Sequence, residues 1–378
     1  MPANVIELLQ HLIRIPSVNP DDASSGTATG ESDIAAELAA WLGSSGCEVM
    51  LEEVKPGRPN LIARFAPRDG RPRVLFGPHL DTVGVDQMTI TPFSGELRDG
   101  KIWGRGACDT KGSMAAMLWA LHENASYLSS MPVAVDFVAF MGEESGQWGS
   151  KDFAQKYAND YAFAICGEPT SLDVVHVNKG SAWITVEARG KAAHSSMPEK
   201  GDNAVMKLCR ALDYLQSELS VNLQRFQHPI LGKSTCNIGT ISGGSRPNIV
   251  PDLAQAQIDI RVTPDLQAQG GAVLLLEHLI KQADLPISIA YAHENPPMET
   301  SLDHPMTQLL LLAGDRSKAV GAPWFSDAAH LSAAGIPSVC LGPGSIAQAH
   351  TANEFIEVEQ LLAGVEHFSR FIQMLARS

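Results

Sequence analysis

Cysteine is scarce and unpatterned in this chain. The six cysteines (Cys47, Cys108, Cys166, Cys209, Cys236 and Cys340) form no C-x-x-C and no regular spacing among 378 residues, which argues against a thiolate zinc module or a disulfide framework. They read as reduced thiols in a cytoplasmic protein, with Cys108 and Cys166 as small buried residues. Basic residues are also in deficit: 28 Lys and Arg face 42 Asp and Glu, for a net charge of -14. With no basic run to displace counterions from phosphates, a nucleic-acid partner is not expected. Long hydrophobic runs are missing, the longest being short stretches such as residues 309–313, well under the ~20 residues a membrane span needs. Residues 1–15 place His11 and Arg14 among apolar positions and end at Pro16, without a basic leader or a small-residue cleavage site, so they read as an amphipathic helix. No G-x-S-x-G elbow, internal repeat or low-complexity tract occurs, and the first of these absences removes a serine-hydrolase reading.

What is present is a core-forming composition, 44% hydrophobic and 19% charged, in a chain long enough for two domains. Apolar runs of strand length stop at polar residues in four places. Residues 73–78 end at His79-Leu-Asp81, residues 133–140 lead into Met-Gly-Glu143-Glu144, residues 161–166 into Gly-Glu168-Pro-Thr, and residues 338–341 into Gly-Pro-Gly344-Ser and then His350. Ligands of open α/β sheets sit at the carboxyl ends of strands, so these termini are expected on one rim. Asp109 supplies a fifth polar position, in the Gly-rich loop Gly104-Arg-Gly-Ala-Cys-Asp-Thr-Lys-Gly112 ahead of a helical pattern over 113–121. Histidines and carboxylates converging in this way are metal-site chemistry.

Residues 1–177 read as one α/β domain: helices over 5–14 and 32–43, a loop over 16–30, strands over 47–53 and 60–65, a hairpin over 95–103 around Asp99-Gly100, and a short helix over 150–157. The pattern then changes. A strand over 181–189, a helix over 202–215, strands over 234–241 and 254–262, a helix over 271–283 and a strand over 287–291 follow the β-α-β-β-α-β order of the ferredoxin-like split motif. Residues 178–294 are thus expected as an insertion, with Pro296-Pro297 marking the return and residues 295–378 completing the first domain through a closing helix over 358–376.

The ensemble of His-x-Asp, Asp in a Gly-rich loop, Glu-Glu, Gly-Glu-Pro-Thr and a late Ala-His resembles the co-catalytic zinc hydrolase family that includes acetylornithine deacetylase, succinyl-diaminopimelate desuccinylase, aminoacylases and glutamate carboxypeptidase. The resemblance runs from Gly77 to Glu354 and includes the insertion. It implies an α/β catalytic domain, with a mixed sheet flanked by helices, carrying an α+β ferredoxin-like lid or dimerisation domain. It further implies that His79, Asp109 and Glu168 hold one zinc ion while Asp109, Glu144 and His350 hold a second, Asp109 being the bridge. Nitrogen and carboxylate donors suit catalytic zinc, and Co2+ or Mn2+ could substitute. Asp81 would orient the His79 imidazole, and Glu143 would be the general base. His194, in Ala-Ala-His-Ser-Ser, matches a donor to the oxyanion that reaches the partner's active site in dimeric relatives. Asn237 and Arg246 match substrate-binding positions, Arg246 as a carboxylate grip, and the glycines of Gly342-Pro-Gly344-Ser345 would let main-chain amides approach the substrate.

Three departures bear on specificity: Pro78 between Gly77 and His79, Met88 where many relatives carry tryptophan ahead of Pro92-Phe93, and Phe325-Ser326-Asp327-Ala328 where relatives carry Thr-Asp-Ala. The expectation is a dizinc amidohydrolase of N-acyl amino acids or short peptides, homodimeric through the insertion. Its segment at residues 341–354 most resembles that of acetylornithine deacetylase, with desuccinylase and glutamate-type carboxypeptidase as alternatives. The alternative of another class is a non-catalytic binder of acylated amino acids, against which the intact ligand set and Glu143 count, because a mere binder has no need of a base.

Overall fold

Every residue of the strand Arg73–Gly77 is buried, as befits a strand covered on both faces in the middle of a largely parallel sheet. A computed structural model describes residues 2–22, 26, 29–44 and 46–377. Within the expected loop over 16–30, residues 23–25, 27 and 28 lie outside the described residues. The chain divides into two compact units. The first comprises Met1–His176, Glu299–Val320 and Ser326–Ser378, the second Val177–Met298 and Gly321–Phe325. The brief return of Gly321–Phe325 to the second unit has no signal in the residue pattern.

Among the described residues the main sheet has nine strands, eight of them in the order Glu48–Lys55, Arg58–Arg64, Ala134–Ala139, Arg73–Gly77, Phe163–Cys166, Ser338–Cys340, Val174–Asn178 and Met298–Glu299, with Ala319–Ala322 also paired to Val174–Asn178. The Arg73–Gly77 strand is parallel to Ala134–Ala139 and to Phe163–Cys166, which is in turn parallel to Ser338–Cys340. Four carboxyl ends therefore emerge on one rim. At the opposite end Arg73 makes a two-pronged bond to Asp136 on the neighbouring strand, both distances 2.7 Å, and Tyr161 donates to the same carboxylate. Burying that charge pair is tolerable because the pairing is two-pronged and further hydrogen bonds, from Arg73 to the carbonyls of Ala66 and Pro67, back it up.

The helices Val5–Arg14, Lys111–Glu123 and Val358–Leu375 join the sheet in one apolar core, with Phe76 set against Phe368 and Phe371 at ring separations of 5.3 and 6.3 Å. Asn4 caps the first helix by accepting the N–H of Glu7 at 2.9 Å. Its far end is closed by a buried lysine: Lys111 Nζ donates to the carbonyls of Leu12 and Ile15 at 3.0 and 2.7 Å, satisfying acceptors that the end of a helix leaves open. Asp99 and Gly100 take the positive φ values, 53° and 71°, of a tight hairpin turn. That hairpin, Glu96–Arg98 with Lys101–Trp103, gains a third strand from Phe355–Glu357, a pairing between segments about 250 residues apart that the residue pattern does not reveal.

The second unit is a four-stranded antiparallel sheet in the order Thr235–Gly243, Leu253–Val262, Gly180–Arg189, Ser288–Asn295. The order is that of the ferredoxin-like split motif. Along Leu253–Val262 alternate residues Ala254, Ala256, Ile258, Ile260 and Val262 are buried, and they share a core with Leu208, Leu212 and Leu215 of the helix Ala204–Asn222 and Leu276 and Leu279 of Gly271–Gln282. A small hairpin, Gln227–His228 with Gly232–Lys233, and the short helix Pro264–Ala268 are additions to the expected pattern. Among the described residues no helix is long and apolar enough to cross a membrane.

Candidate metal centre

Each strand terminus delivers its polar residue to the same rim of the first unit. His79 Nε2 lies 3.1 Å from Asp109 Oδ1, while His350 Nε2 lies 2.9 Å from Glu144 Oε2 and 3.5 Å from Asp109 Oδ2. Asp109 therefore stands between two imidazoles with one oxygen turned to each. Ligand atoms of His79, Asp109 and Glu144 all fall within 4.8 Å of one another. Glu168 is buried beside them and feels the charges of Asp109, His79 and Glu144.

The electrostatics of this cluster call for cations. Burial, and then the negative charge of Asp109, push Glu144 up to about 6. Burial and neighbouring carboxylates raise Glu143 and Glu168 well above the usual range. Burial lowers the pKa of His79, but the carboxylates of Asp109 and Asp81 outweigh it and hold the imidazole protonated. The hydrogen bond that His350 donates to the Glu144 carboxylate raises His350 to about 9. Protons on these groups occupy the places that a metal would take. The Oε1 atom of Glu144 is buried without a hydrogen-bond partner, a cost of roughly 1–3 kcal/mol that a bound cation would remove. Oxygen and imidazole donors without thiolate, several of them buried, fit zinc or another divalent ion. His79, Asp109, Glu144, Glu168 and His350 could hold it. Cys108 and Cys166 do not compete, because burial keeps both thiols protonated.

The support of these residues differs in part from expectation. His79 Nδ1 is held by the main-chain carbonyl of Asp81 at 2.9 Å, and the Asp81 carboxylate is farther away at 3.5 Å. That carboxylate also receives the N–H groups of Glu143 and Glu144, each at 3.0 Å, and Asn19 Nδ2 at 2.6 Å. Asn19 Oδ1 in turn accepts from Arg58, which Glu31 and Asp21 hold. Asp81 thus fixes the turn that presents the two glutamates. Gly344 has a φ of +85°, and a Cβ there would meet Cys108 Sγ at 2.5 Å, so glycine is needed for the fold of the loop. Its N–H already meets Gln360 Oε1 at 3.4 Å and its carbonyl accepts from Ser171.

His194, Asn237 and Arg246 belong to the second unit. His194 Nδ1 accepts the N–H of Ser196 at 3.2 Å, which leaves the ring proton on Nε2 as a donor. The His194 loop and the Arg246 loop are tied by Ser195 N to Asn248 O at 3.1 Å and Val250 N to Ala193 O at 2.8 Å. Arg246 lines a hollow of about 550 Å3 with Ser195, Pro198 and Asn203. Asn237 is exposed on the strand at the edge of the sheet.

Two further carboxylates at the rim carried no assigned role in the sequence. Asp327 is buried, held by Ser150, and raised to about 7 by burial opposed by that hydrogen bond. Glu354, fully buried, accepts from Arg105 and from three main-chain N–H groups of the Asp109 loop. Glu354 closes the segment at residues 341–354 that resembles the family and Asp327 lies in one that departs from it, and only their acidic side chains in those segments could have drawn attention to them.

Comparison with known proteins agrees with this geometry. Residues 75–374 match the profile of peptidase family M20/M25/M40. The chain is 32% identical over 364 residues to an acetylornithine deacetylase of Proteus mirabilis, spanning 93% of this chain and 92% of that one. In fold it is similar to a tripeptidase of Staphylococcus aureus, with a TM-score of 0.78 at 23% identity over 100% of this chain and 99% of the other. It is also similar to a dinuclear metal-binding peptidase of Bacillus subtilis, with a TM-score of 0.69 at 15% identity over 99% and 98% of the two chains.

Proposed function

The chain belongs to peptidase family M20/M25/M40 and is a metal-dependent hydrolase, and on that footing we propose that it cleaves the amide bond of an N-acyl amino acid, with N-acetylornithine as the first candidate. The observation that carries the proposal is the division between adjacent glutamates. Glu144 joins the His79 and Asp109 cluster, while Glu143, its main chain pinned beside it by Asp81, is left for proton transfer, a group that a mere binder would not need. The kinship with an acetylornithine deacetylase over most of both chains supports the acetyl amino acid.

Two zinc ions held by His79, Asp109, Glu144, Glu168 and His350 would supply Lewis acidity to the scissile carbonyl and a water activated near neutral pH. The chain's own residues do the rest. Glu143 takes the proton of the attacking water on its carboxylate and returns it to the nitrogen of the leaving amine. His194 donates its Nε2 proton as a hydrogen bond to the developing oxyanion. Arg246, with Asn237, grips the substrate's carboxylate. Gly344 keeps its loop in register. We further infer a cytoplasmic homodimer paired through the second unit.

Metal-reconstituted protein assayed against N-acetylornithine, N-succinyl-diaminopimelate, other N-acyl amino acids and glutamate-terminated peptides tests the proposal. N-acetylornithine is expected to give the highest kcat/KM. Preference for the succinyl compound or the peptides would move the chain to a desuccinylase or carboxypeptidase, and no cleavage of any of them by fully loaded protein would overturn the proposal.

A further inference from the structure

Glu354 has a side chain whose hydrogen-bonding capacity is used up. Its Oε1 accepts the main-chain N–H groups of Cys108 and Asp109 at 2.8 and 3.0 Å, and its Oε2 accepts the N–H of Gly106 at 3.0 Å and Arg105 Nη1 at 2.8 Å. Four donors converge on the four lone-pair positions of one carboxylate, which leaves no oxygen for a cation and no place for a proton. A group so engaged is neither a ligand nor a base.

What Glu354 touches explains its burial. The loop it gathers ends at Asp109, which stands between His79 and His350. Glu354 is itself four residues beyond His350. Its carbonyl accepts the N–H of Gly104 at 3.1 Å, after which Phe355–Glu357 zips antiparallel onto Lys101–Trp103. One residue thus joins the segment that brings Asp109 to the segment that brings His350. We propose that Glu354 is a positioning residue that locks these two loops together and so sets the spacing at which Asp109 is shared between two cations. The inference rests on the two-cation reading above and adds to it a residue that touches no metal.

Substitutions separate this task from a general contribution to stability. Glu354→Gln keeps the shape but turns an amide donor against two of the four donors, whichever way the amide lies. Glu354→Asp keeps the charge and withdraws it by one methylene. Arg105→Lys leaves the three main-chain bonds in place. Metal-free full chain is titrated with Mn2+ by calorimetry, the loaded protein is examined by electron paramagnetic resonance, and circular dichroism and thermal melting report the fold.

Wild-type protein is expected to take two ions and to give the spectrum of a spin-coupled pair. Glu354→Gln should retain its helix signal, bind the second ion at least about tenfold more weakly, as loss of an outer partner of a metal site does, and give the spectrum of isolated ions. Glu354→Asp should fall between, and Arg105→Lys should stay near wild type. Glu354→Gln protein with wild-type affinities and a coupled spectrum would overturn the proposal. Should that variant fail to fold, Glu354→Asp decides: unchanged affinities and coupling overturn it, and weakened coupling in a folded protein supports it. Wild type taking fewer than two ions overturns the two-cation reading and this inference together. Both readouts are taken without substrate, so an error in the substrate assignment leaves them untouched.

Discussion

Glu143 and Glu144 are identical in chemistry and adjacent in sequence, yet their surroundings divide them. Glu144 bonds His350 at 2.9 Å and shares a cluster with His79 and Asp109, whereas Glu143 lies outside that cluster with its pKa raised by burial and by Glu168. Replacing Glu143 with alanine should therefore keep both metals and a near-normal KM while lowering kcat roughly 10²–10⁴-fold, the usual worth of a general base. Glu144→Ala should lose metal first. Measuring kcat, KM and bound metal in both variants checks the pair, and a Glu143→Ala protein that had merely lost metal would exchange their roles. The same cluster sets a pH dependence. His350, raised to about 9 by its hydrogen bond to Glu144, carries a proton at neutral pH in the metal-free protein, and a metal must displace it. Affinity should accordingly rise from pH 6 toward 9 and fall in acid, with roughly one or more protons released per chain on loading at pH 7. Titration calorimetry in two buffers of different ionisation enthalpy measures that number, and no proton release would remove His350 from the ligand set. At this scale the sequence exposed the residues that end apolar runs, because an abrupt His, Glu or Asp after a strand is visible by eye. It concealed Glu354, Asn19 and the main-chain contacts of Asp81, because what distinguishes them is the convergence of N–H groups from loops remote in the chain.

Secondary elements hold these residues by contacts in which a single methyl group counts. The helix Trp148–Tyr157 begins directly on the Glu143-Glu144 turn, and Gly149 is where the two backbones touch. A Cβ at Gly149 would meet Asn60 Oδ1 at 2.4 Å and Met141 N and O at 2.6 Å each, while the Gly149 N–H bonds Met141 O at 3.0 Å and its carbonyl accepts from Asn60 at 2.9 Å. Two of the three clashes are with main chain, and the third is with an Asn60 amide held by the Gly149 carbonyl and the Met141 N–H, so the neighbours cannot simply rotate away. Gly149→Ala should cost about 1–3 kcal/mol, as overpacking of a filled interior does, and should weaken metal binding through displacement of Glu144. Chemical denaturation and metal titration of the variant check both effects, and full stability with unchanged affinity would mean that the helix does not support the turn. Strands and helices were largely legible from periodicity: the helices over 5–14 and 32–43 agree with Val5–Arg14 and Ser32–Gly43. Some short elements were not, among them Gln227–His228, Phe355–Glu357 and Pro264–Ala268, since these stretches carry neither a continuous apolar run nor a turn signal and are too short to show a period.

At the scale of the whole molecule, a chain with a net charge of -14 concentrates buried carboxylates at one rim of its first unit and leaves two strand edges on its second. The expected β-α-β-β-α-β order produced a sheet whose outer strands are Thr235–Gly243 and Ser288–Asn295. Among the described residues neither has a further strand beside it. Edges of this kind offer unpaired N–H and C=O groups to a second chain, which motivates the proposed homodimer and, with it, the proposed action of His194 across the pair. His194 presents its donor on an exposed loop, with Nδ1 occupied by Ser196. If that donor serves the partner's centre, chains carrying His194→Ala and chains carrying Glu143→Ala are each inactive as homodimers but complement one another when mixed. Random exchange pairs half of the chains in mixed dimers, and each mixed dimer has one centre with an intact Glu143 from its own chain and an intact His194 from its partner. About a quarter of wild-type activity per total chain is then expected once exchange is complete, since an isologous pair places two equivalent centres in each dimer. If His194 instead serves its own chain, each centre in the mixed dimer lacks one of the two groups and no activity returns. Native mass spectrometry confirms that mixed dimers have formed before activity is read, so an inactive mixture with demonstrated exchange would assign His194 to its own chain, and a protein that remains monomeric at assay concentration would remove the dimer itself.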